Sequence, residues 1–270
     1  QVMAIAEKKQ IPVITPSSTN DKLVEQKQFA NRVCFTDSFQ GTVVGNYTAK
    51  ELKYKTAVVV LDQAQVYSLG LTKAFKEAFE KAGGTIVKEI KVNSGDKDYK
   101  AVISQIKTSN PDFLFLPMYH PEVSMIARQA KQAGFTKPMF SGDGVANQTF
   151  IELGGDAVEG YMFTDLFDYA APPTQRSKDF IAAYAKKTGK QDVNSFVALG
   201  ADAYNIMVDA MNRCTNPEDS VCINKMIKST KNFEGVSGIL NMDESGNTTR
   251  SAVIKVIQNG KAVYRATVNP

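Results

Sequence analysis

The sequence predicts an α/β chain, built of mostly parallel sheet with helices on both faces and arranged as two lobes. Three observations lead there. Apolar runs alternate with amphipathic segments, and the strands recur at roughly 30-residue spacing, as βαβ units require. The runs are uninterrupted and β-branched, Thr56-Ala57-Val58-Val59-Val60-Leu61 most of all, which suits strands covered on both faces. Finally, 270 residues, 43% of them hydrophobic, suffice for one large core or two medium ones, so two lobes are natural at this size.

Taken in order, residues 1–9 read as the second half of an amphipathic helix with Val2, Ile5 and Ala6 on one side. Ile11-Pro12-Val13-Ile14 is a buried strand whose carboxyl end opens into Thr15-Pro16-Ser17-Ser18-Thr19-Asn20, a cluster of hydroxyls and turn formers. A short helix over 21–28 and a short strand over 32–35 follow. Ser38 caps a helix through 52, with Phe39, Val43, Tyr47 and Leu52 near one face. Strand 56–61 ends at Asp62, and the helix over 68–82 carries Leu71, Phe75 and Phe79 four apart before Gly83-Gly84 stops it. Strand 85–92, helix 99–109, strand 112–117, helix 122–133, strand 138–141, a short helix 147–153 and strand 161–164 continue the alternation. It lapses into helices at 174–187, 195–212 and 223–229. Two β-rich runs, 251–258 and 261–268, meet across Asn259-Gly260 as a hairpin. No repeat or long linker is present, so two lobes would be joined by several short crossings.

Several function classes drop out. With 32 Lys+Arg against 28 Asp+Glu, the basic surplus is small and scattered among carboxylates, which argues against nucleic acid as a partner. No apolar window of about 18 residues exists to span a membrane, and the first residues carry no basic-then-apolar leader. His120 is the one histidine, so paired-histidine metal sites are excluded and no metal is expected. There is no Gly-x-Ser-x-Gly elbow to make His120 a catalytic base, and a strand-end histidine commonly just hydrogen-bonds backbone. Walker and Gly-x-Gly-x-x-Gly loops are missing too, and Gly142-Asp143-Gly144 places a carboxylate where phosphate would be repelled. No cofactor and no catalytic residue are expected. Cys214 and Cys222 flank a short polar turn that a disulfide could close, the alternative being two unrelated small residues; a bridge there would place the protein outside the cytosol. Cys34 reads as a buried small apolar residue.

What remains is a set of strand ends. The first offers Ser17, Ser18 and Thr19; others lead into Tyr67, into Tyr119-His120, and into Asp143 between glycines. Collected in one crevice they suit a small zwitterion: hydroxyls for its carboxylate, Asp143 for its ammonium, and the two tyrosines as apolar, cation-facing walls. Each has a plainer reading beside it, the hydroxyls as helix caps, the tyrosines as packing residues and Asp143 as a turn former.

At this point the segments Ala6-Glu7-Lys8-Lys9-Gln10, Ile11 to Thr19, Arg32-Val33-Cys34-Phe35-Thr36-Asp37 with Gln40-Gly41, Tyr67-Ser68-x-Gly70-Leu71, Tyr119-His120-Pro121-Glu122, Gly142-Asp143-Gly144-Val145 and 235–246 stand together. The chain resembles the type I periplasmic binding proteins of the branched-chain amino-acid (leucine/isoleucine/valine) ABC uptake family along essentially its whole length. The resemblance implies a type I periplasmic-binding-protein-like fold and a monomeric, non-catalytic receptor, its signal peptide processed. The receptor closes by a hinge on an amino acid, working in the periplasm or at the extracellular face of a bacterial membrane and delivering its ligand to an ABC permease. It gives the α-carboxylate to Ser17 and Thr19, the ammonium to Asp143 where relatives often have Glu, ring contacts to Tyr67 and Tyr119, and the side-chain pocket to Phe196. It sets one lobe at 1–35 and 165–245 and the other at 36–164 and 246–270. It also implies roughly a hundred further residues before Gln1, whose lack would leave a sheet edge uncovered. An extracellular amino-acid or amide sensor domain of a receptor is the alternative on the same fold, and an enzyme on a doubly wound scaffold is a third.

Overall fold

In the computed structural model, which describes residues 2–270, the chain divides into two compact units. Unit 1 comprises 1–36, 166–252 and 269–270; unit 2 comprises 37–165 and 253–268.

Unit 1 opens with α1 (Val2–Lys8), β1 (Val13–Thr15) and β2 (Ala30–Arg32), the two strands pairing in parallel. The buried face of α1 is Met3 and Ala6, while Val2 and Ile5 are 69% and 59% exposed, so the apolar face expected from periodicity is turned by one residue. The helix expected over 21–28 is a single 3-10 turn, Asp21–Leu23, capped by Asn20 and ended before Gln26, whose φ of 56° no helix continues through. The strand expected at 32–35 pairs two residues earlier, because β1 dictates the register.

In unit 2 Ser38, expected as a helix cap, lies inside the helix, which begins at Asp37 as α2 (Asp37–Asn46), and the last stretch, Tyr47–Glu51, widens into a π-turn. The buried stripe of α2 is Gln40, Gly41, Val44 and Gly45 with Val43, in place of the Phe39-Tyr47-Leu52 face that apolar spacing suggests. The reason is β3 (Thr56–Asp62) and α3 (Val66–Lys81): a Cβ on Gly41 would sit 2.7 Å from the Ala74 Cβ and the Phe75 nitrogen, so α2 lies directly on the α3 backbone. Small residues set this face, and bulky ones turn away from it.

The alternation then runs β4 (Thr85–Val92), α4 (Lys100–Ser109), β5 (Phe113–Phe115), α5 (His120–Gln132), β6 (Met139–Ser141), α6 (Gln148–Gly154) and β7 (Met162–Asp165). Returning to unit 1, the chain forms α7 (Gln175–Thr188), α8 (Ser195–Asn212), α9 (Ser220–Lys228), β8 (Phe233–Glu234), β9 (Ile239–Met242) and β10 (Thr248–Thr249). These last three strands make a small antiparallel sheet that the sequence pattern does not announce, each being too short to show a period. Among the described residues, parallel pairing in unit 1 is confined to β1 and β2. The chain re-enters unit 2 after Ala252, beyond β10, and ends with β11 (Ala252–Gln258) and β12 (Lys261–Val268) across Asn259-Gly260, both residues at positive φ as this hairpin turn demands.

The seven-stranded sheet of unit 2 has the order β12-β11-β7-β6-β5-β3-β4. From β4 to β7 every pairing is parallel, and β11 joins β7 antiparallel. Its core runs from Val58, Val60, Leu114 and Leu116 to Ile126, Phe150 and Phe163, all at 2% exposure or less. Among the described residues no helix is long and apolar enough to cross a membrane.

Candidate ligand-binding site

The strand order of unit 2 reverses between β3 and β5, and in such sheets ligands meet the carboxyl ends of the strands at that reversal. Tyr67 stands at the start of α3 just beyond β3, Tyr119 immediately before α5 beyond β5, and Asp143 two residues beyond β6. The three converge. The rings of Tyr67 and Tyr119 stack with centroids 4.9 Å apart and planes at 21°, and Tyr67 Oη donates to Asp143 Oδ1 at 3.0 Å.

Asp143 is only 4% exposed. Its Oδ1 also accepts from Gln40 Nε2 at 3.0 Å, whereas Oδ2 has no hydrogen-bond partner among the described residues. Burial pushes the carboxyl up from the ordinary value near 3.8 to about 6, against the lowering effect of the Gln40 and Tyr67 hydrogen bonds. Tyr67 is raised well above its usual range by burial and by the nearby Asp143 charge, so it stays a neutral donor. Tyr119 is raised for the same reasons, with Asp37 adding to them, yet 42% of it is exposed. The result is a carboxylate with one oxygen fixed by two donors and the other left over, beside a two-ring aromatic wall. Such a set suits a cation with several N–H donors.

The flanking glycines are required by this packing. A Cβ on Gly142 would fall 2.1 Å from Gln40 Oε1 and 2.5 Å from Tyr67 Oη. One on Gly144 would meet the Met118 carbonyl at 2.8 Å.

In unit 1, Ser17 and Ser18 are exposed at the end of β1 and Thr19 is buried. Ser18 already has partners: its hydroxyl accepts from Thr15 Oγ1 at 3.0 Å, and its carbonyl accepts from Arg32 Nη1 at 3.1 Å. The side chains of Ser17 and Thr19 have none among the described residues. Phe196 lies half-buried in the first turn of α8, where Asn194 caps its amide. Cys214 and Cys222 form a disulfide between α8 and α9, and Cys34 is a buried thiol outside that bridge. His120 Nδ1 lies 3.3 Å from Asn147 Nδ2 at the start of α5. No group of metal-ligating side chains occurs among the described residues.

Sequence reasoning named Gln40 only within a matching segment, with no role, and missed Thr164. Gln40 is fully buried and bonds Asp143 through both its amide N and O, while Thr164 Oγ1 donates to Gln40 Oε1 at 2.8 Å. The available signal was a glutamine beside the Gly41-x-x-x-Gly45 stripe, a polar residue on a face made for close packing.

The fold is that of a doubly wound α/β chain whose strand ends gather a buried carboxylate and an aromatic wall. The periplasmic binding protein family is matched over residues 1–261, and the chain belongs to that family. It is similar to the leucine-, isoleucine-, valine-, threonine- and alanine-binding protein of Pseudomonas aeruginosa, with 30% identity over 90% of this chain and 64% of that protein. It thus spans less than two thirds of the length of the curated relatives it matches. A leucine-binding protein of Thermotoga maritima shares 39% identity and a TM-score of 0.96 over 100% of this chain and 76% of its own. A branched-chain amino-acid transporter substrate-binding protein of Streptococcus pneumoniae, solved with isoleucine, shares 30% identity and a TM-score of 0.91 over 99% of this chain and 75% of its own. All three are binding proteins.

Proposed function

We propose that this chain is an extracytoplasmic solute-binding protein that captures a small amino acid, branched-chain by the names of its relatives, and delivers it to an ABC permease without chemical change. The observation that carries the reading is the buried Asp143 carboxylate with Oδ2 unused beside the Tyr67–Tyr119 stack. In this reading Asp143 takes the ligand ammonium, Ser17 and Thr19 donate to its carboxylate, and Phe196 touches its side chain; Ser18 supports the loop through Thr15. A buried charge of this kind is compensated only when a partner arrives, which makes the ammonium the recognised feature.

The test is titration calorimetry with L-leucine, L-isoleucine and L-valine against 4-methylpentanoate, which keeps the leucine side chain and carboxylate but lacks the ammonium. Binding of the amino acids with loss of at least about 2 kcal/mol for the deaminated analogue is expected. Equal affinity for both, or no retained amino acid in native mass spectra of protein purified without refolding together with no calorimetric binding, would overturn the reading.

A further inference from the structure

We propose that Gln40 is a positioning residue that decides which oxygen of Asp143 takes up a proton, and that it thereby makes amino-acid capture pH-dependent. This deepens the function proposed above and rests on it for the capture step alone.

The amide orientation of Gln40 follows from donor and acceptor chemistry. The Asp143 backbone N–H can only donate, and it meets one terminal atom of Gln40 at 2.7 Å; that atom must be Oε1. Thr164 Oγ1 donates to the same oxygen. Nε2 is therefore turned to Asp143 Oδ1, and an amide N–H can only donate. With Tyr67 Oη donating to the same atom, Oδ1 is closed to a proton. A proton arriving at Asp143 goes to Oδ2.

Oδ2 is also the oxygen left for the ligand ammonium. Ionised, it accepts from the ammonium; protonated, it turns an O–H toward N–H donors and the site repels its ligand. The titratable and charged groups around Asp143 are Tyr67 from α3, Tyr119 ahead of α5, Asp37 from α2, and Asp165 at the end of β7, which is ion-paired to Lys255 of β11 at 2.9 Å. Burial holds the Asp143 carboxyl at about 6, and the Gln40 and Tyr67 bonds keep it from rising further. Because a free amino acid stays zwitterionic from about pH 5 to 8, any change in its affinity over that range belongs to the protein.

The experiment has two arms. In ligand-free protein, carbon-detected NMR follows the Asp143 carboxyl through pH in wild type, Gln40→Leu and Tyr67→Phe. In parallel, calorimetry with L-leucine runs from pH 8 to 5. Wild-type affinity is expected to be flat near pH 8 and to fall about tenfold per pH unit well below pH 6, since one proton opposes binding. Gln40→Leu removes a donor to Oδ1, so the carboxyl midpoint and the affinity profile should both move up by about one unit. Tyr67→Phe, which keeps the ring, should move the midpoint the same way and serves if Gln40→Leu does not fold. An unmoved midpoint in folded Gln40→Leu overturns the role of Gln40, and an unmoved midpoint in Tyr67→Phe overturns the closing of Oδ1 by its donors, as does leucine affinity independent of pH. A midpoint that moves in a protein that binds no amino acid at any pH leaves the positioning role standing and overturns the functional reading instead.

Discussion

Asp143 is held where burial disfavours its charged form. Its carboxyl is raised to about 6 from 3.8, a difference of about 3 kcal/mol between its two protonation states. The sign is opposite to that of a salt-bridged aspartate: the fold favours the protonated form, so the destabilisation is absent below about pH 4, grows as pH rises to about 6, and is fully present above. Asp143→Asn keeps an acceptor for Gln40 and Tyr67 and removes the charge. It should stabilise the ligand-free protein at pH 7.5 by up to about 3 kcal/mol while abolishing leucine binding, with the thermal gain vanishing near pH 4. Equal melting temperatures at pH 7.5, or retained binding, would remove Asp143 from the role given it. The strand-end placement of Asp143 and both tyrosines was readable from sequence because the apolar runs ahead of them mark the strands they follow. Gln40 was not, since its partner lies 103 residues away and only pairing within the folded unit brings them together.

At the scale of elements, the α2–α3 contact decides where Gln40 points. A Cβ on Gly45 would lie 2.8 Å from the Ala78 Cβ and from the Phe79 backbone nitrogen. Gly45→Ala improves helix propensity by about 1 kcal/mol, but the obstruction is backbone and cannot swing aside, so overpacking at about 1–3 kcal/mol prevails. Net destabilisation is expected in urea unfolding, together with a weaker hold of Gln40 on Asp143; an unchanged midpoint would show that the helices slide apart freely. Long periodic elements such as β3, α3 and α5 are written plainly in the residues, their apolar spacing matching what the sheet buries. Several of the shortest elements are not: β8, β9 and β10 exist through pairing, and Asp21–Leu23 stays one turn because the left-handed Gln26 follows it.

Across the whole molecule, the chain passes from one unit to the other after Thr36, Asp165 and Ala252, and near its end. Arg250 bears on this within unit 1. It is buried, donating from Nη1 to the Val33 carbonyl at 3.0 Å and from Nη2 to the Leu166 carbonyl at 2.6 Å, and both its nitrogens reach Ser237. Ser237 and Val236 are in turn bound by Asp202, whose carboxyl burial raises while these hydrogen bonds oppose the rise. Arg250→Met leaves several buried acceptors and an acid uncompensated, and should lower stability by about 3 kcal/mol or more; a melting temperature within error of wild type would deny it that function. By itself the sequence determined the α/β class, the long strands and helices, the hairpin at Asn259-Gly260 and the strand-end residues Tyr67, Tyr119 and Asp143, because periodicity and turn chemistry act over a few residues. Only the tertiary structure decided the face α1 and α2 bury, the role of Gln40 and Thr164 beneath Asp143, and the gathering of Val33, Leu166 and Ser237 on Arg250. Those depend on which distant backbones approach closely enough to bond, and no local pattern encodes that distance.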